Sequence, residues 1–347
     1  MINILKEHQT AHPDMQIQDV AKLLFQSEFG GGHMITDSEK SLKWIQNEFA
    51  VLDPGILDTI PLTENIGDGV YRIYLSNLKH GLRSEVLNEM FVRSANNKKG
   101  SVEGLESKIE QFLLACHEQK LSFSETEAVS FFEHWKEQEY PAISHSETYR
   151  QAYHPAYRVV TESYLKVLDI IPKIPAETDK SFVIAIDGMS GSGKSTLGEL
   201  LHMNFPESNL FHMDDYFLQP HQRTPERLSE IGGNVDYERF REEIVLHLHD
   251  KNGLNYRPYN CCTQSLEDEI HVPWKPIVII EGSYSQHPYF GDVYDLQVFC
   301  EISAKEQKQR IINRNGEKMW KRFETEWIPK EHAYFETFHI KEKSGLQ

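Results

Sequence analysis

The stretch from Ser181 to Leu201, SFVIAIDGMSGSGKSTLGELL, constrains the fold of this chain more than any other. The apolar run Phe182 to Ile186 predicts a buried strand, and a helical pattern begins at Ser195. Between them, Gly188 to Ser195 fits G-x-x-x-x-G-K-[ST], the pattern of a phosphate-binding loop. Glycine lets the backbone coil so that its N–H groups face phosphate oxygens, and the next helix adds its positive end. The sequence therefore predicts a nucleoside triphosphate site.

The residues of this loop have distinct expected roles. Lys194 is expected to reach the β- and γ-phosphates, and the Ser195 hydroxyl is expected to bind Mg²⁺. A chance glycine turn is the alternative, but the strand before it and the helix after it favour the phosphate loop. The residues predicted to bind the nucleotide, taken to be ATP, are Gly188, Ser190, Gly191, Ser192, Gly193, Lys194, Ser195 and Thr196.

Composition limits the class of protein. The 347 residues suffice for two domains, and a hydrophobic content of 39% with 26% charged residues is typical of a globular chain. A net charge of −17 argues against nucleic acid or an anionic membrane as partner. The first residues lack the apolar core of a secretory signal, and no apolar run reaches membrane-spanning length. The four cysteines form no C-x-x-C pair, so we expect reduced thiols in a cytoplasmic protein.

Two kinds of periodicity divide the chain. Residues 1–170 carry apolar residues at helical spacing, with clear patterns at 38–49, 86–91, 105–116 and 125–139. Residues 171–180 contain two prolines and predict a linker. From residue 181 onward, strands alternate with helices. The predicted fold is an α/β parallel sheet flanked by helices over 181–347, preceded by a mainly α-helical N-terminal domain of unknown role.

The segment Ser144–Arg158 carries tyrosines and cations at intervals of four residues. In one helix these would form two adjacent stripes, although Pro155 complicates a continuous helix. The pattern fits packed tyrosines with cations paired to acidic residues, and it also fits an anion or substrate site. The first interpretation is favoured because structural charge patterns are common.

Acidic residues follow the predicted strands. Asp187, the pair Asp214 and Asp215, and Glu281 all fall at carboxyl ends of strands, where an open parallel sheet binds its ligand. Asp214 suits a base that orients an acceptor hydroxyl, and Glu281 suits a ligand of Mg²⁺, directly or through water. Helix capping or a turn is the alternative role for these acids.

The second half of the chain resembles the uridine kinase/phosphoribulokinase family of P-loop kinases. The resemblance rests on GMSGSGKST, on MDDYF at 213–217, on GGNVDYERF at 232–240, on YRPYNC at 256–261 and on IIEG at 279–282. It implies that Asp214 is the catalytic base and that Asp236 binds ribose hydroxyls of the acceptor. Tyr216 and Tyr259 are also assigned to the substrate. The N-terminal half is similar to extensions on some bacterial uridine-kinase-like proteins.

This chain departs from the family pattern near Tyr259. Asn260 stands where the family has aspartate, and Cys261-Cys262-Thr263-Gln264 replaces the stretch that carries a histidine. The kinase reaction is still implied, whereas uridine as the acceptor is not. The basic segment 305–322 fits the lid of the family, with Arg310, Arg314, Lys318 and Arg322 four residues apart. An unbroken helix would align them on one face, although Gly316 falls within the segment and can interrupt the helix. Arg310 and Arg314 are expected to close over the phosphates, while Lys318 and Arg322 fit a solvated face equally well.

Two functions compete at this stage. The first is an ATP-dependent, Mg²⁺-requiring kinase that phosphorylates a hydroxyl of a small metabolite, chiefly a nucleoside or another ribose-containing compound. The second is a nucleotide-controlled switch or scaffold ATPase in which the helical domain is the effector. The strand that ends in Glu281-Gly282 favours the kinase, since paired acids are absent there. The expected partner is a small-molecule acceptor, and a homo-oligomer is compatible with the sequence.

Overall fold

The computed structural model describes residues 1–32, 37–58 and 60–346, and the chain divides into two compact units, Met1–Leu168 and Asp169–Gln347. The strands of the first unit are β1 (Thr63–Gly67), β2 (Val70–Tyr74) and β3 (Tyr157–Thr161), paired antiparallel in that order. Its helices are α1 (Ile2–Ala11), α2 (Ile17–Phe29), α3 (Ser38–Ala50), α4 (Pro54–Leu57), α5 (Ser84–Asn97), α6 (Val102–His117), α7 (Glu125–Glu137) and α8 (Glu147–Tyr153). A short helix, α9 (Lys166–Ile170), follows.

The first unit is mainly helical, as predicted, and it also contains a sheet that the sequence did not indicate. The patterns at 38–49, 105–116 and 125–139 correspond closely to α3, α6 and α7. The sheet escaped prediction because β1 and β2 carry polar residues toward the core. Arg72 of β2 is 1% exposed, so the alternation of apolar and polar residues that marks a strand is missing.

The segment 144–158 does not form one helix. Its helix α8 ends where His154 adopts a left-handed conformation with φ 45, and β3 begins after Pro155. Tyr149 is buried and stacks on His145 with ring centroids 4.2 Å apart. Arg158 pairs with Glu48 at 2.8 Å. These side chains therefore pack and pair within the first unit, in line with the first interpretation of their pattern.

The second unit is built on a parallel sheet in the order β11-β4-β10-β5. These strands are β4 (Phe182–Gly188), β5 (Ser208–His212), β10 (Ile277–Glu281) and β11 (Leu296–Cys300). Strand β4 was predicted to within two residues from its apolar run, because a parallel strand covered on both faces carries apolar residues on both of its sides. Two hairpins join β6 (Leu254–Tyr256) to β9 (Ile270–Val272) and β7 (Tyr259–Asn260) to β8 (Ser265–Leu266).

Helices cover this sheet. They are α10 (Lys194–Asn204), α11 (Pro225–Ser229), α12 (Tyr237–Glu243), α13 (Ala304–Asn315), α14 (Glu317–Arg322), α15 (Ile328–Phe338) and α16 (Ile340–Lys343). Helix α12 ends at Glu243, and a 3-10 turn, Val245–His247, follows it. None of the helices in the described parts of the chain combines the length and the apolar character needed to cross a membrane.

Candidate active site

The glycine-rich loop connects the central strand β4 to α10. Its first glycine, Gly188, has φ 135, and a Cβ there would lie 2.1 Å from the carbonyl oxygen of Cys300 on β11. Gly191 and Gly193 also have positive φ, at 77 and 97. Backbone of this kind is open to glycine and strained for other residues. The predicted need for glycine therefore has two causes here, the coil of the loop and the neighbouring strand.

Lys194 lies across the loop. Its Nζ donates to the carbonyl oxygens of Gly188 at 2.8 Å and Met189 at 3.0 Å. Ser192 follows the bend, and its buried Oγ has no hydrogen-bond partner among the described residues. This unpaired hydroxyl lies in the glycine-rich loop, next to the N-terminus of α10. It can donate a hydrogen bond to a phosphate oxygen bound there. The loop thus fits the nucleotide predicted for it.

Ser195, in the first turn of α10 together with Thr196, reaches the end of the neighbouring strand. Its Oγ donates to Glu281 Oε2 at 3.1 Å, and the other oxygen of Glu281 lies 2.6 Å from Nδ1 of His212. The sheet register explains this grouping, because Glu281 of β10 pairs with Ile186 on one side and with His212 on the other. The hydrogen bond to Glu281 raises the pKa of His212.

Asp214 lies just beyond β5, in the 3-10 turn Met213–Tyr216. Loss of water around its carboxyl group raises its pKa, and the charge of Glu281 adds to this effect. Lys194, His212 and Arg314 act in the opposite direction. The charges that act on Asp214 thus come from the glycine-rich loop, from two strand ends and from α13. The sheet brings the predicted base, the predicted metal ligand and the loop lysine to one edge.

Asp236 begins α12 beside this turn. Its backbone N–H donates to the carbonyl oxygen of Tyr216 at 2.6 Å, and Arg239 donates to the carbonyl oxygen of Asp215 at 2.8 Å. The side chain of Asp236 accepts the N–H of Arg239 at 3.1 Å as a helix cap and Nε2 of Gln222 at 2.9 Å. Capping was not foreseen for this residue. Its predicted contact with the acceptor stays a prediction.

The two tyrosines assigned to the substrate are both buried. Tyr216 is 0% exposed, and its hydroxyl donates to Glu243 at 3.0 Å. It packs in the core of the unit, so this placement does not support a substrate contact. Tyr259, on β7, has its hydroxyl 2.6 Å from Nη2 of Arg223. Strand β7 packs against the 3-10 turn Met213–Tyr216, so the turn that follows β7 begins near Asp214.

The basic segment forms two helices rather than one. Gly316, with φ 80, separates α13 from α14, so the four cations predicted for one face do not share a helix. Arg310 donates to the carbonyl oxygen of Gly191 at 3.2 Å, which places it beside the loop. Arg314 is exposed one turn further along α13. Arg322, on α14, pairs with Glu326 at 3.0 Å, and Lys318 is exposed.

Glu331 of α15 supports the loop, a role that no sequence pattern indicated. Its buried carboxylate accepts the N–H of Ser190 at 3.0 Å, the hydroxyl of Ser190 at 2.5 Å and the hydroxyl of Ser283 at 2.8 Å. Glu331 lies 141 positions from Ser190 in the sequence, and no motif identifies an acidic residue that binds a loop at that distance. His212 was also missed, although its place at the end of β5 could have identified it.

Asp187, at the end of β4, is an anchor. Its carboxylate accepts the N–H groups of Gly188 at 2.7 Å and Gln286 at 3.1 Å, and the hydroxyl of Tyr334 at 2.8 Å. It is 0% exposed, and burial raises its pKa to about 6. The carboxylate of Asp187 is thus bonded to protein groups on three elements. It links the end of β4 to the segment after β10 and to helix α15.

No protein-family model matches this sequence, and neither does any curated protein. Solved structures do show similarity to the second half. A possible uridine kinase from Bacillus stearothermophilus is 22% identical, with 53% of this chain and 95% of that chain covered at a TM-score of 0.41. A D-glycerate 3-kinase from Cryptococcus neoformans is 10% identical, with 45% and 80% covered at a TM-score of 0.31.

The fold of the second unit follows from its own geometry. A parallel sheet is flanked by helices, its central strand leads through G-x-x-x-x-G-K-S into α10, and an acidic residue ends the adjacent strand. A helix with exposed arginines approaches the loop from the far side. The second unit, about half of the chain, therefore has a P-loop fold, a parallel α/β sheet with a phosphate-binding loop after its central strand.

Proposed function

We propose that this chain is an ATP-dependent kinase that transfers the γ-phosphoryl group to a hydroxyl of a small metabolite, a nucleoside or another ribose-containing compound. The observation that carries the proposal is the meeting of Lys194, Glu281 and Asp214 at one edge of the sheet. Phosphoryl transfer needs cations on the moving charge, oxygen ligands for a metal and a group that receives the acceptor proton. This edge offers all three.

The residues present fit a magnesium ion. Mg²⁺ prefers oxygen ligands and is held by one or two carboxylates together with the phosphates of the nucleotide. Ser195 Oγ and Glu281 Oε2, 3.1 Å apart, supply a hydroxyl and a carboxylate next to the loop. When bound, the ion neutralises charge on the phosphates. His212 holds the remaining oxygen of Glu281 at 2.6 Å and thereby fixes the orientation of the carboxylate.

Asp214 is the proposed catalytic base. Its raised pKa makes it a better proton acceptor than an ordinary aspartate. As the oxygen of the acceptor hydroxyl forms its bond to phosphorus, its proton passes to the carboxylate of Asp214, and the bond between the γ-phosphorus and the bridging oxygen breaks. ADP leaves with that oxygen.

The proposed lid is α13. Arg310 already contacts the loop through the carbonyl oxygen of Gly191 at 3.2 Å, and Arg314 acts on Asp214 through its charge. Positive groups in these positions stabilise charge on the transferring phosphoryl group. Their long side chains can move toward the phosphates without any change in the sheet, because both are exposed.

The acceptor is proposed to bind between the turn that carries Asp214 and the start of α12. Backbone hydrogen bonds hold these two segments together, which keeps Asp236 near the base. A vicinal diol would find acceptors in the carboxylate of Asp236. Strand β7 packs against the turn that carries Asp214, so the stretch Cys261-Cys262-Thr263-Gln264, which stands where the family pattern has a histidine, begins close to the same place.

A phosphorylation screen tests the proposal. The purified chain is incubated with ATP, Mg²⁺ and a library of metabolites, and products that gain one phosphoryl group are identified by mass spectrometry. The Lys194→Ala variant is the matched control. We expect at least one hydroxyl-bearing acceptor to be phosphorylated by the parent chain alone. Hydrolysis of ATP that no metabolite accelerates would contradict the kinase and favour the nucleotide-controlled switch.

A further inference from the structure

Two histidines and a glutamate converge in the core of the first unit, away from the proposed kinase site. His8 lies in the last turn of α1, His12 follows that helix directly, and Glu64 is on β1. Nδ1 of His8 is 3.3 Å from Oε1 of Glu64, and Nε2 of His12 is 3.6 Å from the same oxygen. Both histidines are buried, and the glutamate side chain is 11% exposed.

The backbone fixes which nitrogen of each ring carries the proton. Nε2 of His8 lies 2.7 Å from the carbonyl oxygen of Asn65, and Nδ1 of His12 lies 3.2 Å from the carbonyl oxygen of His8. A carbonyl oxygen only accepts, so these nitrogens must be the N–H donors. In the neutral rings, Nδ1 of His8 and Nε2 of His12 are left with lone pairs. Those are the two nitrogens that face Glu64.

This arrangement is unfavourable unless something positive joins the three atoms. Nδ1 of His8 is buried and has no hydrogen-bond partner among the described residues. A lone pair that faces a carboxylate oxygen is repelled by it.

The spacing suits a metal ion. Two ligands about 2.1 Å from one ion at a tetrahedral angle lie about 3.4 Å apart. The distances from Glu64 to the two histidines, 3.3 and 3.6 Å, bracket that value. The three donor atoms all lie within 4.8 Å of one another. Histidines four residues apart at the end of a helix present both rings on one side, as two metal ligands require.

Neighbouring residues fix the orientation of the Glu64 carboxylate. The other oxygen of Glu64, Oε2, accepts from Nη1 of Arg72 at 2.9 Å and from the hydroxyl of Tyr74 at 3.1 Å. Gln26 holds the guanidinium of Arg72 from its other side at 3.0 Å. Oε1 is therefore the oxygen left for the histidines. Metal sites commonly show such outer contacts, which orient the ligands and fix the histidine tautomers.

We propose that His8, His12 and Glu64 bind a divalent transition-metal ion through Nδ1, Nε2 and Oε1. Two imidazoles and one carboxylate suit Zn²⁺ or a similar ion, and three protein ligands leave a coordination position open. The ring of Tyr149 lies 5.2 Å from that of His12, and its buried hydroxyl also has no hydrogen-bond partner among the described residues.

Zinc titration of the full chain tests the proposal. Cys261 and Cys262 are exposed thiols and could bind Zn²⁺ themselves, so both are first changed to serine. The chain is stripped with a chelator, saturated with Mg²⁺ to occupy the oxygen ligands near Glu281, and titrated with Zn²⁺. His12→Gln and Glu64→Gln are the test variants. His117→Gln is the matched control, because His117 pairs with Glu125 at 3.1 Å on the exposed surface.

We expect the background chain and His117→Gln to bind one equivalent of Zn²⁺ more than the test variants, or to bind it at least about 100-fold more tightly. Circular dichroism shows which test variants are folded, and the comparison uses those. Co²⁺ bound in place of Zn²⁺ should give the visible absorption of a four-coordinate ion in the background chain only. Equal zinc binding by the background chain and a folded test variant would overturn the proposal, leaving a charged histidine paired with Glu64.

Discussion

Glu331 offers the sharpest test of how the phosphate-binding loop is held. Replacing it with alanine removes the acceptor for the N–H and the hydroxyl of Ser190. Ser283 loses its bond at 2.8 Å but retains the carbonyl oxygen of Gly188 at 3.3 Å. The effect therefore falls mainly on Ser190, whose backbone N–H makes no other hydrogen bond within the described residues. Glu331→Gln keeps one oxygen for that N–H, and the serine hydroxyls can rotate to accept from the new amide.

The expected magnitudes differ between the two substitutions. A buried donor left without a partner costs about 1 to 3 kcal/mol, so two such groups give about 3 kcal/mol for Glu331→Ala. Glu331→Gln loses only the strengthening that a charged acceptor provides, about 1 kcal/mol. The affinity for ATP should weaken in the same order, because part of the binding free energy is then used to order the loop.

Urea unfolding and ATP titration of the full chain measure both effects. Glu336→Ala is the matched control, since Glu336 is exposed on the same helix and its removal tests the loss of helix charge alone. We expect the free energy of unfolding to fall in the order Glu336→Ala, Glu331→Gln, Glu331→Ala. If Glu331→Ala were as stable as Glu336→Ala and bound ATP equally well, the support assigned to Glu331 would be wrong.

Three further predictions follow from the same unit. Lys194→Ala should abolish phosphoryl transfer with little change in folding by circular dichroism. Lys305→Ala, at an exposed position, is the control and should retain phosphoryl transfer. Equal turnover by Lys194→Ala and the parent chain would refute the role of Lys194. Asp214→Asn should lower kcat by about 100-fold or more while ATP still binds, and a loss confined to ATP affinity would assign Asp214 to the donor site. Burial raises the pKa of Asp187 to about 6, so the folded chain retains this proton to a higher pH than the unfolded chain. The stabilising contribution of Asp187 should therefore fall by about 2 kcal/mol from about pH 4 to about pH 7. Urea unfolding at both values, relative to Asp187→Asn, should show that difference, and a pH-independent gap would contradict it.

Local patterns predicted most of the second unit. Strands β4, β10 and β11 are largely buried on both faces, so each appears in the sequence as an apolar run. The glycine-rich loop carries its chemistry in consecutive residues, and this is why its place between β4 and α10 was predicted. The lid was predicted as one basic stripe, and Gly316 divides it. A glycine in a helical pattern leaves both outcomes open.

Contacts between distant residues could not be predicted. Arg72 and Glu64 form an ion pair at 2.9 Å inside the first unit, and this pairing allows both charged side chains to be buried. Because charged residues occupy inward positions of β1 and β2, neither strand shows the alternation of apolar and polar residues. Tyr216 was assigned to the substrate because it follows Asp214 in a family-like motif. In the structure its ring packs edge-on against that of Phe240 at 4.8 Å, a contact that depends on the position of α12.

The way α15 holds the loop has a consequence for synthesis of the chain. Glu331 and Tyr334 bind Ser190 and Asp187 across 141 and 147 positions of sequence. Residues so far apart meet only after nearly the whole unit has left the ribosome. Until then the glycine-rich segment lacks the Glu331 carboxylate that accepts hydrogen bonds from Ser190. A nascent chain that has passed Ser195 but not yet Glu331 should therefore bind nucleotide poorly, and the site becomes competent only when the last helices fold.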